Sequence, residues 1–270
     1  MSDFEITFLG TNGSCSFDNG KRSRIGTNTP CAAVKAGNST LIFDAGSGIC
    51  GFGGLTDYQN ERINLFFSHC HLDHLNGLLF FPYFFDASKK IDLYGGKCGE
   101  VGFSDIIESF LSPPFNPVGL NAFTADVNIH TVELGEDVIL SEEVVVKTFG
   151  ISHPNGELGF RVEYGGKSLC YCSDIELSDH RKNGGLYNFT KGADLLVMDS
   201  FFDENEVIKG WGHSSWRESA EWAQLCGAKS LALFHYKFML TDEDISVMEK
   251  KAQAVFPNTF ASADRMRVEL

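Results

Sequence analysis

Six consecutive residues, His69-Cys70-His71-Leu72-Asp73-His74, offer four side chains able to ligate a metal. Imidazole nitrogens and a carboxylate oxygen together suit zinc, iron or manganese. The cluster follows an apolar run, Asn64 to Phe67, and precedes Leu75-Asn76-Gly77-Leu78. A histidine-rich surface tract lacks such a setting. A strand that opens into a turn and a short helix can bring all four side chains to one spot. Three more candidates stand at the ends of strand-like runs: His153 after Val144 to Phe149, Asp174 after Ser168 to Cys172, and His235 after Leu231 to Phe234. Each alone has a plainer reading, a structural histidine or a turn aspartate.

These groups need a scaffold, and the pattern supplies one rich in strands. Phe4 to Leu9, Ile91 to Tyr94, Gly159 to Tyr164 and Leu195 to Met198 add to the runs already named. Thr29 to Lys35 and Ser39 to Phe43 read as a hairpin turning at Ala36-Gly37-Asn38, and Tyr164-Gly165-Gly166-Lys167 is a second hairpin turn. Helices are expected over Ser104 to Phe110, Ser214 to Cys226 and Asp242 to Val255. The second has capping-box spacing at Ser215 and Glu218, with Gly227 after its end. The stretch Leu111 to Ala125, with Pro113, Pro114 and Pro117, has no period; it is a surface loop, or a lid or dimer contact.

Composition bounds the rest. The chain has 270 residues, 43 % of them hydrophobic, and its 24 Phe are expected to fill a core between layers. No linker divides it, so residues 1–270 read as a single domain. The formal net charge of −14 lacks the basic footprint of nucleic-acid binders, which makes long RNA or DNA an unexpected partner. No signal-peptide pattern opens the chain and no apolar run spans a membrane, so the expectation is a cytoplasmic protein with no membrane partner.

The pattern HxHxDH after a strand and before a glycine resembles the metallo-β-lactamase superfamily. The resemblance implies an α/β fold, a four-layer αββα sandwich, and a dinuclear metal site of two divalent ions, zinc first, with manganese or iron as alternatives. It would assign His69, His71 and His153 to one metal and Asp73, His74 and His235 to the other, with Asp174 bridging both. A metal-bridging hydroxide would then be the nucleophile, oriented by Asp73. Asp44, in Phe43-Asp44-Ala45-Gly46-Ser47-Gly48, either buttresses a metal histidine or caps a turn. Gly10-Thr11-Asn12-Gly13-Ser14 is either a phosphate cradle or a plain tight loop.

The segment Gly210-Trp211-Gly212-His213-Ser214-Ser215 is similar to the phosphodiesterase branch, which includes RNase Z and the cyclic-phosphate hydrolases. There a His-Ser or His-Thr pair opens a helix before the last ligand strand, and an acid at a preceding strand end pairs with the histidine. By this resemblance His213 contacts a phosphate oxygen or protonates the leaving group, and Asp199 raises its basicity. Asn28-Thr29-Pro30-Cys31 and Ala261-Ser262-Ala263-Asp264-Arg265-Met266 extend the likeness nearly end to end. RNase Z enzymes carry a basic, Gly-rich arm that this chain lacks, and Asp199 stands where they have Glu. The expected function is therefore a metal-dependent phosphodiesterase of a small cyclic nucleotide or cyclic phosphate, as a homodimer. An RNase Z-like tRNA 3′ endonuclease is one alternative, and a non-phosphodiester hydrolase or redox enzyme of the same fold is another.

Overall fold

Side-chain alternation decides the architecture. In the strand Arg62–Phe67, Phe66 points to one side while Leu65 and Phe67 point to the other. In Leu195–Asp199, Leu195 and Val197 share one core and Leu196 and Met198 another. Strands apolar on both faces must be covered on both faces. The computed structural model, which describes residues 3–58, 60–180 and 184–270, has two seven-stranded sheets that satisfy this requirement.

The first sheet runs in the order Arg267–Glu269, Phe4–Gly10, Cys31–Ala36, Ser39–Phe43, Arg62–Phe67, Lys90–Gly95, Asp126–Thr131. The second runs Thr259–Ala261, Leu231–Phe234, Leu195–Asp199, Lys167–Cys172, Glu157–Tyr164, Val145–Ile151, Val138–Ile139. Phe8, Phe43, Phe66, Phe160 and Phe234 fill the space between them, with Phe43 stacked on Phe160 at 5.3 Å and on Tyr171 at 5.2 Å. Outside the second sheet lie the helices Trp216–Cys226 and Asp242–Val255. Outside the first lie the helix Phe103–Phe110 and short 3₁₀ turns carrying Phe52, Phe81 and Phe84. This is the α/β sandwich of four layers, αββα, that the motif implies.

The expected helices and hairpins stand within two residues of their expected ends, and Ser215 and Glu218 form the capping box. Asp126–Thr131 and Arg267–Glu269 are edge strands without a continuous apolar run: in the first, Val127 and Ile129 pack on the core and alternate with polar residues that face water. The stretch 111–125 is made of turns and one 3₁₀ turn, Leu120–Ala122, anchored where Phe123 stacks on Phe84 at 4.4 Å. Among the described residues no helix is long and apolar enough to cross a membrane.

Strand direction is what gathers the functional groups. Ser39–Phe43 and Arg62–Phe67 are parallel neighbours, as are Lys167–Cys172, Leu195–Asp199 and Leu231–Phe234. Val145–Ile151 is antiparallel to Glu157–Tyr164, which is antiparallel to Lys167–Cys172, so it runs in the same sense as the latter. The residues after these strand ends, from Asp44 to His235, therefore share one edge of the sandwich, where open α/β sheets place their sites.

Candidate metal centre

The structure brings together every residue the sequence singled out for chemistry. His69, His71 and His153 form one group and Asp73, His74 and His235 another, each with ligand-capable atoms within 4.8 Å of one another. In the first group His153 Nε2 lies 3.1 Å from His71 Nδ1. In the second, Asp73 Oδ2 is 3.3 Å from His235 Nε2 and 3.5 Å from His74 Nε2. Asp174 stands between the groups: one oxygen is 3.3 Å from His235 Nε2 and 4.0 Å from His69 Nε2, the other 3.4 Å from His74 Nε2.

This donor set fits two divalent cations. His69 Nε2, His74 Nε2 and Asp174 Oδ1 are buried without a hydrogen-bond partner. Buried polar atoms are rarely left so, because each unmet group costs about 1–3 kcal/mol. Here several converge on the same space, which two cations would satisfy. Burial, followed by the neighbouring His74, pushes His69 well below the usual imidazole range, and burial takes His153 down to about 4. Both are thus neutral, the form that ligates. Burial opposes ionisation of Asp73, yet His74 and His235 hold it well below the usual carboxylate range.

Backbone and neighbours aim these groups. Asp44 takes a left-handed backbone, φ 58°, after its strand and accepts from Ser68 N at 2.8 Å and Tyr171 Oη at 2.9 Å. It also accepts from Ser68 Oγ at 3.0 Å and lies 2.9 Å from His74 Nδ1, which leaves His74 Nε2 facing the centre, so the geometry favours the buttressing reading of Asp44. His235 is also left-handed, φ 59°, and such strain in a residue with a Cβ persists where the surroundings enforce it. A Cβ on Gly13 would lie 2.6 Å from the His235 ring, and Ser14 N donates to Asp73 Oδ2 at 2.8 Å. The loop Gly10 to Ser14 is thus a tight loop packed under the second group, with the Ser14 N–H already used.

His213 completes the edge. Its Nδ1 is 2.7 Å from Asp199 Oδ2 and 3.8 Å from Asp174 Oδ2. Its ring stacks with Phe201 at 4.5 Å and with His235 at 5.1 Å, each tilted by 18°, the two partners being themselves 5.9 Å apart. Burial lowers the imidazole's affinity for a proton, but the Asp199 carboxylate outweighs this and raises it to about 9. Burial pushes the Asp199 carboxyl up, and the His213 imidazole beside it opposes that rise.

Three contributors were missed by strand-end reasoning. Phe201 forms the His213 stack. Glu176 Oε2 accepts from Gly210 N at 2.7 Å and Gly212 N at 3.2 Å, which fixes the loop carrying His213. Glu157, fully buried, sits behind the first histidine group. No pattern in the sequence marks the first two. Glu157 has one weak signal, its spacing of four from His153. Beside the centre a cavity of about 310 Å³ is lined by His69, Asn155, Val132, Leu134 and Leu158.

One glycine is tightly constrained. Gly212 has φ +80°, its carbonyl accepts from His153 Nδ1 at 2.8 Å, and an added Cβ would lie 2.2 Å from that nitrogen. Gly212→Ala is expected to push His153 out of the first group, on top of about 1–2 kcal/mol of backbone strain. Metal content should fall from two per chain toward one, as read by elemental analysis after dialysis, while the helical circular dichroism is retained.

The comparisons agree with this geometry. Residues 40–236 match the model of the beta-lactamase superfamily domain. Ribonuclease Z of Archaeoglobus fulgidus is 24 % identical, covering 99 % of this chain and 98 % of its own. In structure the chain is similar to a metallo-beta-lactamase fold protein from Bacillus subtilis, with TM-score 0.73, 18 % identity and 99 % of each chain covered. It is also similar to human tRNase Z, short form, with TM-score 0.68, 22 % identity and 98 % of each chain covered. These relatives overturn one expectation, that long nucleic acid is an improbable substrate. A net charge of −14 sums the whole chain, whereas recognition depends on local groups, and part of that negative charge is buried in the cation site itself. The same family typically binds divalent metals, which the cluster of His and Asp fits. By fold and donor set the chain is built as a metal-dependent hydrolase, and it belongs to the metallo-β-lactamase superfamily.

Proposed function

We propose that the protein is a phosphodiesterase that cleaves RNA in the manner its likeness to ribonuclease Z suggests. The observation that carries this reading is the His213–Asp199 pair, 2.7 Å apart, set against the cation site. Two divalent ions, zinc in this reading, would be held by His69, His71, His153, Asp73, His74, His235 and the shared Asp174; when bound they supply Lewis acidity toward phosphoryl oxygens and water. The chain's own contribution is an acid. Asp199 occupies His213 Nδ1, so Nε2 carries the proton that can pass to the leaving oxygen. Phe201 and His235 hold that ring in one plane, and Glu176 holds its loop. The cavity beside His69, with its apolar walls, has room for a nucleobase next to the cleaved phosphate.

The deciding experiment is a substrate panel: a precursor tRNA with a 3′ trailer, cyclic nucleotides, bis(p-nitrophenyl) phosphate and a thioester. Trailer removal together with diester hydrolysis supports the proposal. Turnover of cyclic and aryl diesters without any RNA cleavage would remove RNA and leave phosphodiester chemistry. Turnover of the thioester alone would overturn the reading.

A further inference from the structure

A buried carboxylate lies behind the first histidine group, and one of its two oxygens has no hydrogen-bond partner. Glu157 begins the strand Glu157–Tyr164 and is 4 % exposed. Its Oε1 accepts from Asp174 N and from Ser173 Oγ, both at 3.1 Å. Its Oε2 is buried without a hydrogen-bond partner, 3.8 Å from His69 Nδ1 and 3.9 Å from His153 Nδ1. Those are the back atoms of two imidazoles whose Nε2 atoms face Asp174, at 4.0 and 3.9 Å. His74, in the second group, has Asp44 at its back at 2.9 Å. His69 Nδ1 is hydrogen-bonded with Ser68 Oγ at 3.0 Å and His153 Nδ1 with Gly212 O at 2.8 Å, so Glu157 can act on these two rings through its charge and not through a hydrogen bond. Taking a carboxylate out of water costs several kcal/mol unless positive charge compensates it; burial pushes the Glu157 carboxyl well above the usual carboxylate range, and a cation held by these imidazoles would offset that.

We propose that Glu157 is a positioning residue for the metal held by His69, His71 and His153, setting that position's affinity through the charge it places behind two of its imidazoles and through its hold on the Asp174 backbone. The inference rests on the two-cation reading of the site. It makes the two positions unequal in their support: Asp44 contacts His74 of the second directly and His69 of the first only through Ser68 Oγ, whereas Glu157 stands behind the first alone. Removing the Glu157 charge therefore weakens one metal and spares the other.

Glu157→Gln is the informative variant, because its amide oxygen can still accept from Asp174 N and Ser173 Oγ while the charge is gone. Metal per chain is measured by elemental analysis after dialysis, and affinity by titration against a competing chelator. The expected result is one metal retained at the affinity of the unmodified protein and one weakened by about 10–100-fold. Glu157→Asp, which keeps the charge further back, should recover part of the loss. Position is assigned by combination. E157Q should lower the remaining metal in His235→Ala, which spares the first position, and should change nothing in His153→Ala, which has already lost it. Two metals held by E157Q at unchanged affinity would overturn the proposal, as would equal weakening of both. An unmodified protein that binds no metal would overturn the two-cation reading itself, a result distinct from either.

Discussion

His213→Ala is expected to lower kcat by roughly 10²–10⁴, the usual contribution of a positioned acid or base, while leaving both metals bound. The two readouts should separate because His213 Nδ1 is held by Asp199 at 2.7 Å and lies 3.8 Å from Asp174, although His213 neighbours Asp174 and His235 closely enough to share a cation with them. The loss should also depend on the leaving group. A p-nitrophenolate departs without a proton, so the variant should be impaired far less on bis(p-nitrophenyl) phosphate than on RNA, whose leaving alkoxide needs one. The pH profile supplies an independent check. Asp199 raises the His213 proton affinity to about 9, so the acid is in its working form at neutral pH and activity dependent on it is lost as pH rises through that value. Asp199→Asn removes the raising charge, and burial then pulls the imidazole down. The alkaline limb of kcat should move to lower pH, below about 6.5 if burial dominates. A His213→Ala protein that loses activity and metal in equal measure would make this residue structural.

Whether a residue's role is legible in the amino-acid sequence follows from what that role depends on. His69 to His74 can be read because their geometry is local: a strand end, a turn and one helical turn. His153, Asp174 and His235 can be read because each follows a strand, and strands of the same sense finish at the same edge. Glu157 also lies at that edge, but at the start of a strand running the other way, so a rule about strand ends passes over it. Glu176 acts on the N–H groups of Gly210 and Gly212, and Phe201 acts by stacking; both contacts join segments more than ten residues apart that only the fold brings together. The strand Asp126–Thr131 is faint for a different reason, since an edge strand half open to water shows only two alternating apolar residues, Val127 and Ile129. Net charge misleads about nucleic acid because it is summed over the chain, whereas a partner meets a local surface. Buried Asp44, Asp73, Asp174, Asp199 and Glu157 add to the net charge without facing any partner's phosphates from the outer surface.

Those same buried carboxylates make metal removal the change with the largest effect on the whole molecule. Without cations, His69 Nε2, His74 Nε2 and Asp174 Oδ1 have no partner, and Asp73 and Asp174 crowd their charges into a buried site. A metal bound only by the folded chain stabilises it by about 4 kcal/mol when free metal is 1,000 times its dissociation constant. For a chain of this size each kcal/mol moves Tm by roughly 2–4 °C. One position should then be worth roughly 8–16 °C, and both together more. Chelation followed by dialysis is expected to abolish hydrolysis and lower Tm by at least about 8 °C. Two equivalents of zinc or manganese should restore both. His235→Ala, which takes one donor from the second group, should show roughly half the thermal response because one position remains to be filled. A protein whose Tm and metal content are indifferent to chelation would leave these unpartnered nitrogens and carboxylates without cations to satisfy them, and the two-cation site would fall with it.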